Sequence, residues 1–241
     1  MKKVFTQNLY DIRCEWGPNG AKAVSPDSDV VIIVDILSFT TSIDLITSQG
    51  GIAFPYQWRS DTVYDYAKTV NAEVANPQNA NGYSLSPMTL ERIPSKSRFV
   101  LPSPNGSYVT TLTGGKTTIA GSIRNCRAVA DKAMRLGKRI SIIPCGERWH
   151  HEDDLPLRPC LEDQIGAGSI IQYLTGSLSP EAKASLAVYK GAADNLFDHI
   201  TSCSSGREKN DKGKNRDVFL ASSINSSSTV PILLDAAYQA A

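Results

Sequence analysis

The chain has 241 residues, of which 41% are hydrophobic and 20% are charged, and its formal net charge is +1. This length allows one large α/β domain or two small ones. The near-neutral charge argues against nucleic acid as a partner. The chain contains no run of the ~20 apolar residues that a membrane helix needs. Because the N-terminal lysines precede no apolar core, no signal peptide is predicted and a cytoplasmic location is expected by default.

The cysteines argue against two kinds of site. Five of them are spread along the chain without any Cys-x-x-Cys pair. This number and spacing argue against a disulfide framework and a structural zinc site, so free thiols are expected.

The first half of the chain predicts a parallel sheet. Residues 4–9 are interpreted as a short strand, and residues 14–26, rich in Gly, Pro and Asn, as a loop. Residues 30–34 are apolar and mostly β-branched, which predicts a strand buried on both faces. Asp35 follows, and a hydroxyl-rich segment predicts a helix over residues 40–48.

Strands and helices then alternate along the chain, which favours parallel strands with helices on both faces. The sequence shows no internal repeat and no convincing linker, so a single domain over residues 1–241 is expected. A long connection over residues 76–98 interrupts the alternation, and such loops are often functional. A charged surface loop is expected over residues 207–217. The further predicted strands are 52–54, 98–101, 117–120, 140–143, 218–221 and 230–233, and the further predicted helices are 61–70, 126–136, one from 161, 180–193 and 195–203.

Four of these strands end in polar or glycine-containing turns. The turns are Asp35 and residues 103–107, 121–125 and 145–148. Ligands of open α/β sheets bind at the carboxyl ends of the strands, so the four turns together predict a site at one edge of the sheet.

The polar residues near these turns suit phosphoryl transfer. Carboxylates are available at Asp35, Glu147, Glu162 and Asp163, and Mg2+ prefers one or two carboxylates plus water and substrate oxygens. Arginines and glycine turns can hold a phosphate or sulfonate. Structural roles stay open, because Asp35 could cap the following helix and acids are favoured in the first turn of any helix.

Six motifs in this order resemble the 2-phosphosulfolactate phosphatase family, over nearly the whole chain. They begin with Asp-Ile-Leu-Ser-Phe-Thr-Thr from Asp35 and Leu-Pro-Ser-Pro-Asn-Gly-Ser from Leu101. The others are Gly-Ser-Ile-Arg-Asn from Gly121, Cys-Gly-Glu-Arg from Cys145, Leu-Glu-Asp from Leu161 with Gly-Ala-Gly from Gly166, and Ser-Gly-Arg-Glu from Ser205 with Asp217-Val218.

The resemblance implies a three-layer α/β/α sandwich with a largely parallel or mixed central sheet. It also implies a Mg2+-dependent phosphatase that removes phosphate from 2-phospho-3-sulfolactate, on a route to coenzyme M. Asp35 and Asp163 would be catalytic, and Asp35, Glu162 and Asp163 would face the metal, with the division between metal ligand and base left open. A homodimer is also left open.

Candidate substrate-binding residues come both from the polar turns at the strand ends and from the family resemblance. Carried over from the family, Asn105, Gly106 and Arg207 would face the substrate anions, and they are expected to converge with Asp35 and Asp163 in one pocket. The complete candidate set is Ser103, Asn105, Gly106, Ser107, Arg124, Asn125, Arg148 and Arg207.

One departure from the family affects the substrate. An arginine follows Asp-x-Leu in the family motif, whereas this chain has Ser38. If that arginine binds the anion, Arg124 or Arg148 would have to replace it, and the substrate could be another small phosphorylated acid. Two alternatives remain: a binding protein that has lost catalysis, and an aspartyl-phosphate phosphatase of the haloacid-dehalogenase type, although Leu37 occupies the position of that family's second aspartate.

Overall fold

The computed structural model of the chain describes residues 2–57, 61–76, 82–149 and 156–241. Its strands are β1 (Ile12–Cys14), β2 (Val30–Val34), β3 (Ile52–Tyr56), β4 (Glu73–Val74), β5 (Arg98–Pro102), β6 (Thr117–Gly121), β7 (Ile140–Pro144), β8 (Glu147–Arg148), β9 (Leu157–Arg158), β10 (Pro231–Leu234) and β11 (Ala237–Ala240). Its helices are α1 (Gly17–Val24), α2 (Phe39–Ser48), α3 (Thr62–Thr69), α4 (Gly106–Thr111), α5 (Cys126–Leu136), α6 (Leu161–Ile171), α7 (Pro180–Ala192), α8 (Leu196–Ser202), α9 (Ser204–Asp211) and α10 (Asn215–Ser222).

The central sheet has nine strands in the order β1-β7-β2-β6-β10-β11-β3-β5-β4. Strands β1, β7, β2 and β6 are mutually parallel, and so are β3, β5 and β4. The antiparallel hairpin β10–β11 joins the two groups. Because the hairpin contributes three antiparallel pairings in a row, the two parallel groups run in opposite directions.

Strand β2 lies inside the sheet and is buried on both faces, as the sequence predicts. Its five residues have no exposed surface. Val30, Ile32 and Val34 belong to the core that includes α5, α6 and α7, and Val31 and Ile33 belong to the core that includes α1 and α4. This alternation places helices on both faces and confirms the three-layer α/β sandwich with a mixed, mostly parallel sheet.

Close packing of α6 brings its N-terminus to the end of β2. A Cβ at Gly166 would lie 2.9 Å from Val34 Cγ1, and one at Gly168 would lie 2.1 Å from the Ser185 carbonyl of α7. The small residues of this helix therefore serve close packing. In consequence, the acidic first turn of α6 lies directly behind Asp35.

Four local predictions are wrong. Residues Lys3–Thr6 form a 3-10 turn instead of a strand, and the expected loop over 14–26 contains the end of β1 and all of α1. The expected charged loop over 207–217 and strand over 218–221 are helical, in α9 and α10. Helix α10 is amphipathic and buries residues such as Val218, whereas α9 contains only polar side chains and one glycine. Part of the predicted 76–98 connection, residues 77–81, lies outside the described residues.

Two expectations of absence concern the described residues. All five cysteines are free thiols in the structure, and all are buried. Within the described ranges, the structure has no helix of the length and apolarity needed to cross a membrane.

Candidate active site

A cleft of about 670 Å³ opens beside the ends of β2, β5 and β7. Its floor includes Asp35, Asn105 and Glu147, one from each of the segments that follow these strands. Strand β5 runs opposite to β2, so a common sheet edge does not explain this meeting. Five strand-to-strand steps separate β2 from β5 in the sheet. At a typical twist of about 20° per step, β5 is rotated by about 100° relative to β2, and we infer that this rotation lets the ends of the two strands lie near each other.

Asp35 is held by backbone donors from two helices. Its Oδ1 accepts a hydrogen bond from the Phe39 amide at 3.3 Å, and its Oδ2 accepts one from the Gly106 amide at 3.0 Å. The Gly106 contact requires a glycine, because a Cβ there would lie 2.1 Å from the Phe39 ring. Asp35 thus accepts the first amide of α2, although Ser38 is the N-cap residue of that helix, and it also lines the cleft.

Asp35 and Glu147 form a pair of neighbouring carboxylates. Burial raises the pKa of Asp35 to about 7, and the negative charge of Glu147 is the second cause. Glu147 Oε1 accepts hydrogen bonds from the Asn105 side-chain amide and from the Arg148 backbone amide. Two carboxylates that repel each other at the base of a cleft favour binding of a cation.

The donor set at this pair fits Mg2+. In the part of the chain that the structure describes, no three His, Cys, Asp or Glu side chains are grouped as a metal cage. Magnesium does not require such a cage, because it usually takes one or two carboxylates and completes its octahedron with water and substrate phosphate. Asp35 and Glu147 can supply the carboxylates, and the open cleft leaves room for the other ligands.

Asp163 lies behind Asp35 and outside the cleft lining. Its Oδ1 accepts from the Ile36 amide and its Oδ2 from the Gly146 amide, both at 2.9 Å. Burial raises its pKa well above the ordinary value, with the nearby charges of Asp35 and Glu162 as further causes. Asp163 therefore links the segment that follows β2 to the segment that follows β7, without lining the cleft.

Glu162 is turned away from the predicted metal site. It is buried, and its Oε2 accepts a hydrogen bond from the Cys203 thiol at 3.3 Å. Burial, together with this carboxylate, raises the pKa of that thiol to about 12. The structure thus places Glu162 against Cys203, the N-cap residue of α9. Glu147 lies in the cleft instead, although the sequence indicated it only as one acid among several.

Arg124 and Asn125 form hydrogen bonds and an ion pair inside the protein. Arg124 Nε donates to Asp44 Oδ2 at 2.8 Å in a buried ion pair. Asn125 accepts from the backbone and hydroxyl of Ser122 and donates to the Thr229 carbonyl. These groups are occupied by internal partners and do not line the cleft.

The remaining candidates divide between the cleft and its surroundings. Ser103 lines the cleft beside Asn105. Gly106 contacts Asp35 through its amide, whereas the Ser107 hydroxyl is buried and donates to the Leu101 carbonyl. Arg148 and Arg207 are not among the cleft-lining residues in the described ranges.

Helix α9 explains the position of Arg207. The residues of this helix and its C-cap that line the cleft are Ser205, Glu208, Lys209 and Lys212. This i, i+3, i+4, i+7 spacing is one face of a helix, and Arg207 lies on another face. Had residues 204–212 been interpreted as a helix, the same spacing would have identified these residues.

Lys209 is the basic side chain that contacts the segment after Asp35. Its Nζ donates to Ser38 Oγ at 2.8 Å. The sequence suggested Arg124 or Arg148 as the cation that compensates for Ser38, and the structure places Lys209 there instead.

The mixed sheet and the cleft at its strand ends, lined by carboxylates and lysines, are typical of an α/β enzyme that acts on a small charged molecule. A sequence model of the family described as 2-phosphosulpholactate phosphatase matches residues 19–236. The chain therefore belongs to the 2-phosphosulfolactate phosphatase family, as the motifs indicate.

Two curated relatives carry the family's name. The 2-phosphosulfolactate phosphatase of Methanocaldococcus jannaschii is 26% identical over 212 residues, which cover 85% of this chain and 88% of the relative. The protein called probable 2-phosphosulfolactate phosphatase of Carboxydothermus hydrogenoformans is 26% identical over 160 residues, 64% of this chain and 63% of that relative. The predicted enzyme class, a phosphoric monoester hydrolase, is confirmed at the level of the family.

Proposed function

We propose that the protein is a Mg2+-dependent phosphatase that hydrolyses a small phosphorylated acid. The substrate named for its relatives, 2-phosphosulfolactate, is the first candidate, and the products would be 3-sulfolactate and phosphate. The observation that carries the proposal is the Asp35–Glu147 pair beside Asn105 on the floor of the cleft. A cytoplasmic location and a homodimer stay predictions of the sequence.

Asp35 and Glu147 would hold the metal. When bound, Mg2+ would neutralise charge on the phosphoryl group and help to orient water. The two backbone bonds to Asp35 fix its carboxylate at the end of β2. The bond from Asn105 does the same for Glu147, so the pair is organised before any ligand arrives.

Ser103 and Asn105 would contact the substrate from the β5 side. Both are buried except at the cleft surface. The Ser103 hydroxyl can donate to an anionic oxygen, and the Asn105 side chain can bind the substrate while it orients Glu147. The bonds of Asp163 to Ile36 and Gly146 would keep the segments after β2 and β7 at a constant separation.

A phosphate-release screen of small phosphorylated acids tests the proposal. We expect release with Mg2+ and loss of release with chelator, with 2-phospho-3-sulfolactate among the acids tested. Binding of these acids without release, at any divalent metal, would support a binding protein instead. Covalent phosphate trapped on Asp35 would support the aspartyl-phosphate alternative.

A further inference from the structure

The cleft that contains the two carboxylates is also lined by three lysines. Lys209 and Lys212 belong to α9 and its C-cap, and Lys214 follows them; all three line the cleft. Lys212 is an exposed side chain in an ion pair with Glu208, and such surface pairs contribute little. Lys209 differs from it, because its side chain is only 22% exposed and reaches the segment that follows Asp35.

Two buried groups determine where the Lys209 ammonium lies. Ser38, which is 4% exposed, accepts its hydrogen bond at 2.8 Å. Asp217 Oδ2 lies 3.9 Å away on the other side. Asp217 is itself immobilised, because its two oxygens accept from the Ser86 hydroxyl and the Met88 amide. The ammonium is thus held beside Ser38, which follows Asp35 by three residues in the chain.

This position leaves hydrogen-bonding capacity for a ligand. A lysine ammonium carries three N–H donors. Ser38 takes one of them, and 3.9 Å to Asp217 is too long for a hydrogen bond. A partly buried cation with spare donors, beside a carboxylate pair that suits Mg2+, matches the charge pattern of a metal-bound phosphoryl group.

We propose that Lys209 binds a non-reacting oxygen of the substrate's phosphoryl group, with Ser38 and Asp217 as its positioning residues. The inference rests on the proposed function and adds the cation that complements the metal. As a compact point charge, a lysine neutralises such an oxygen without demanding the paired geometry of an arginine.

Titration of the Mg2+-loaded protein with inorganic phosphate tests this contact without requiring turnover. For Lys209→Met we expect about tenfold weaker phosphate binding, the usual worth of one charge-assisted contact. Lys209→Arg should stay within about threefold of wild type. Lys212→Met is the matched control on the same face and should change the affinity by less than about twofold.

Two further measurements separate a ligand contact from a structural one. Lys209→Gln removes the charge and retains N–H donors on a side chain one bond shorter, so it should also lose phosphate affinity and serves as the test if Lys209→Met fails to fold. Mg2+ binding in the absence of phosphate should not weaken in either variant, because removal of a neighbouring cation favours a metal ion.

Each outcome has a definite meaning. Wild-type phosphate affinity in Lys209→Gln, or an equal loss in Lys212→Met, overturns the inference, as does a Mg2+-loaded wild type that binds no phosphate. If methanesulfonate binding falls in Lys209→Gln while phosphate binding does not, Lys209 contacts the sulfonate of the substrate. The inference that it binds the phosphoryl group is then wrong. If phosphate binding depends on Lys209 but no phosphorylated acid is hydrolysed, the proposed function fails and the Lys209 contact stands.

Discussion

Asp35 and Asp163 are two buried aspartates with nearly the same hydrogen bonding and different access to the cleft. Each uses both carboxylate oxygens to accept backbone N–H groups from segments at strand ends. Burial raises the pKa of both. Only Asp35, however, lines the cleft beside Glu147.

The difference shows that burial and hydrogen bonding do not by themselves identify a functional carboxylate. An ionised carboxylate oxygen can accept more than one hydrogen bond or ligand. Asp35 can therefore brace the backbone and bind a cation at once, because its oxygens border open space. Asp163 has the same capacity but no opening, so its role is to hold Ile36 and Gly146 in place.

The largest expected effect is the loss of phosphate release in Asp35→Asn. A metal-binding carboxylate at the reacting group contributes several kcal/mol, so we expect kcat/KM to fall by about a thousandfold or more. Phosphate release and the thermal midpoint of each variant are the measurements. Glu162→Gln, a neighbouring buried acid outside the cleft, is the control and should keep activity within a few-fold. Full Mg2+-dependent turnover in Asp35→Asn would remove the distinction between the two aspartates.

Glu147→Gln should weaken Mg2+ binding by about tenfold or more, since it removes one of two carboxylates. It should also change the pH dependence. Asp35 has its pKa raised to about 7, and the metal needs the ionised form, so wild-type Mg2+ affinity should fall as pH drops below about 7. Loss of the Glu147 charge lowers the pKa of Asp35, which moves this fall to lower pH.

Calorimetric titration of Mg2+ between about pH 5 and 8, a range that includes the transition near pH 7, measures both effects. If the break stays at the same pH in Glu147→Gln, the two carboxylates do not share a cation. In that case Asp35 would be the carboxylate that binds the cation without help from Glu147.

Asp163→Asn should act mainly on stability. An amide has one acceptor oxygen where the carboxylate has two, so either Ile36 or Gly146 loses its partner at a cost of about 1–3 kcal/mol. For a chain of this size the thermal midpoint should fall by about 2–10 °C. We expect a loss of activity at low temperature of no more than about tenfold. A loss as deep as that of Asp35→Asn, with an unchanged thermal midpoint, would make Asp163 catalytic, as the family resemblance implied.

The smallest expected effect is that of Arg207→Ala. Arg207 is exposed and lies off the face of α9 that borders the cleft. We expect kcat/KM to stay within about twofold of wild type, as for ordinary surface substitutions. A large rise in KM would show that Arg207 contacts the substrate. The substrate-binding site would then include a second face of α9, beyond the residues that line the cleft.

Local pattern was enough for part of the fold and part of the site. The run of β-branched residues over 30–34 predicted β2 and its burial, because a strand covered on both faces needs apolar side chains on both sides. Asp35 followed from that strand, since polar residues at strand ends point to the ligand edge of a sheet. The segments around α9 and α10 were misinterpreted, because α9 has no apolar side chain that could show a helical period and the apolar run over 218–221 in α10 is as short as a strand.

What the sequence by itself determined is the family, the alternation of strands and helices, and the importance of Asp35, because these depend on residues close together in the chain. The tertiary structure alone decided the partner of Asp35. Glu147 meets Asp35 while Glu162 turns toward Cys203, and Lys209 instead of an arginine reaches Ser38. These choices depend on the twist of a mixed sheet and on which face of a helix packs inward, and both arise from contacts between residues far apart in the chain.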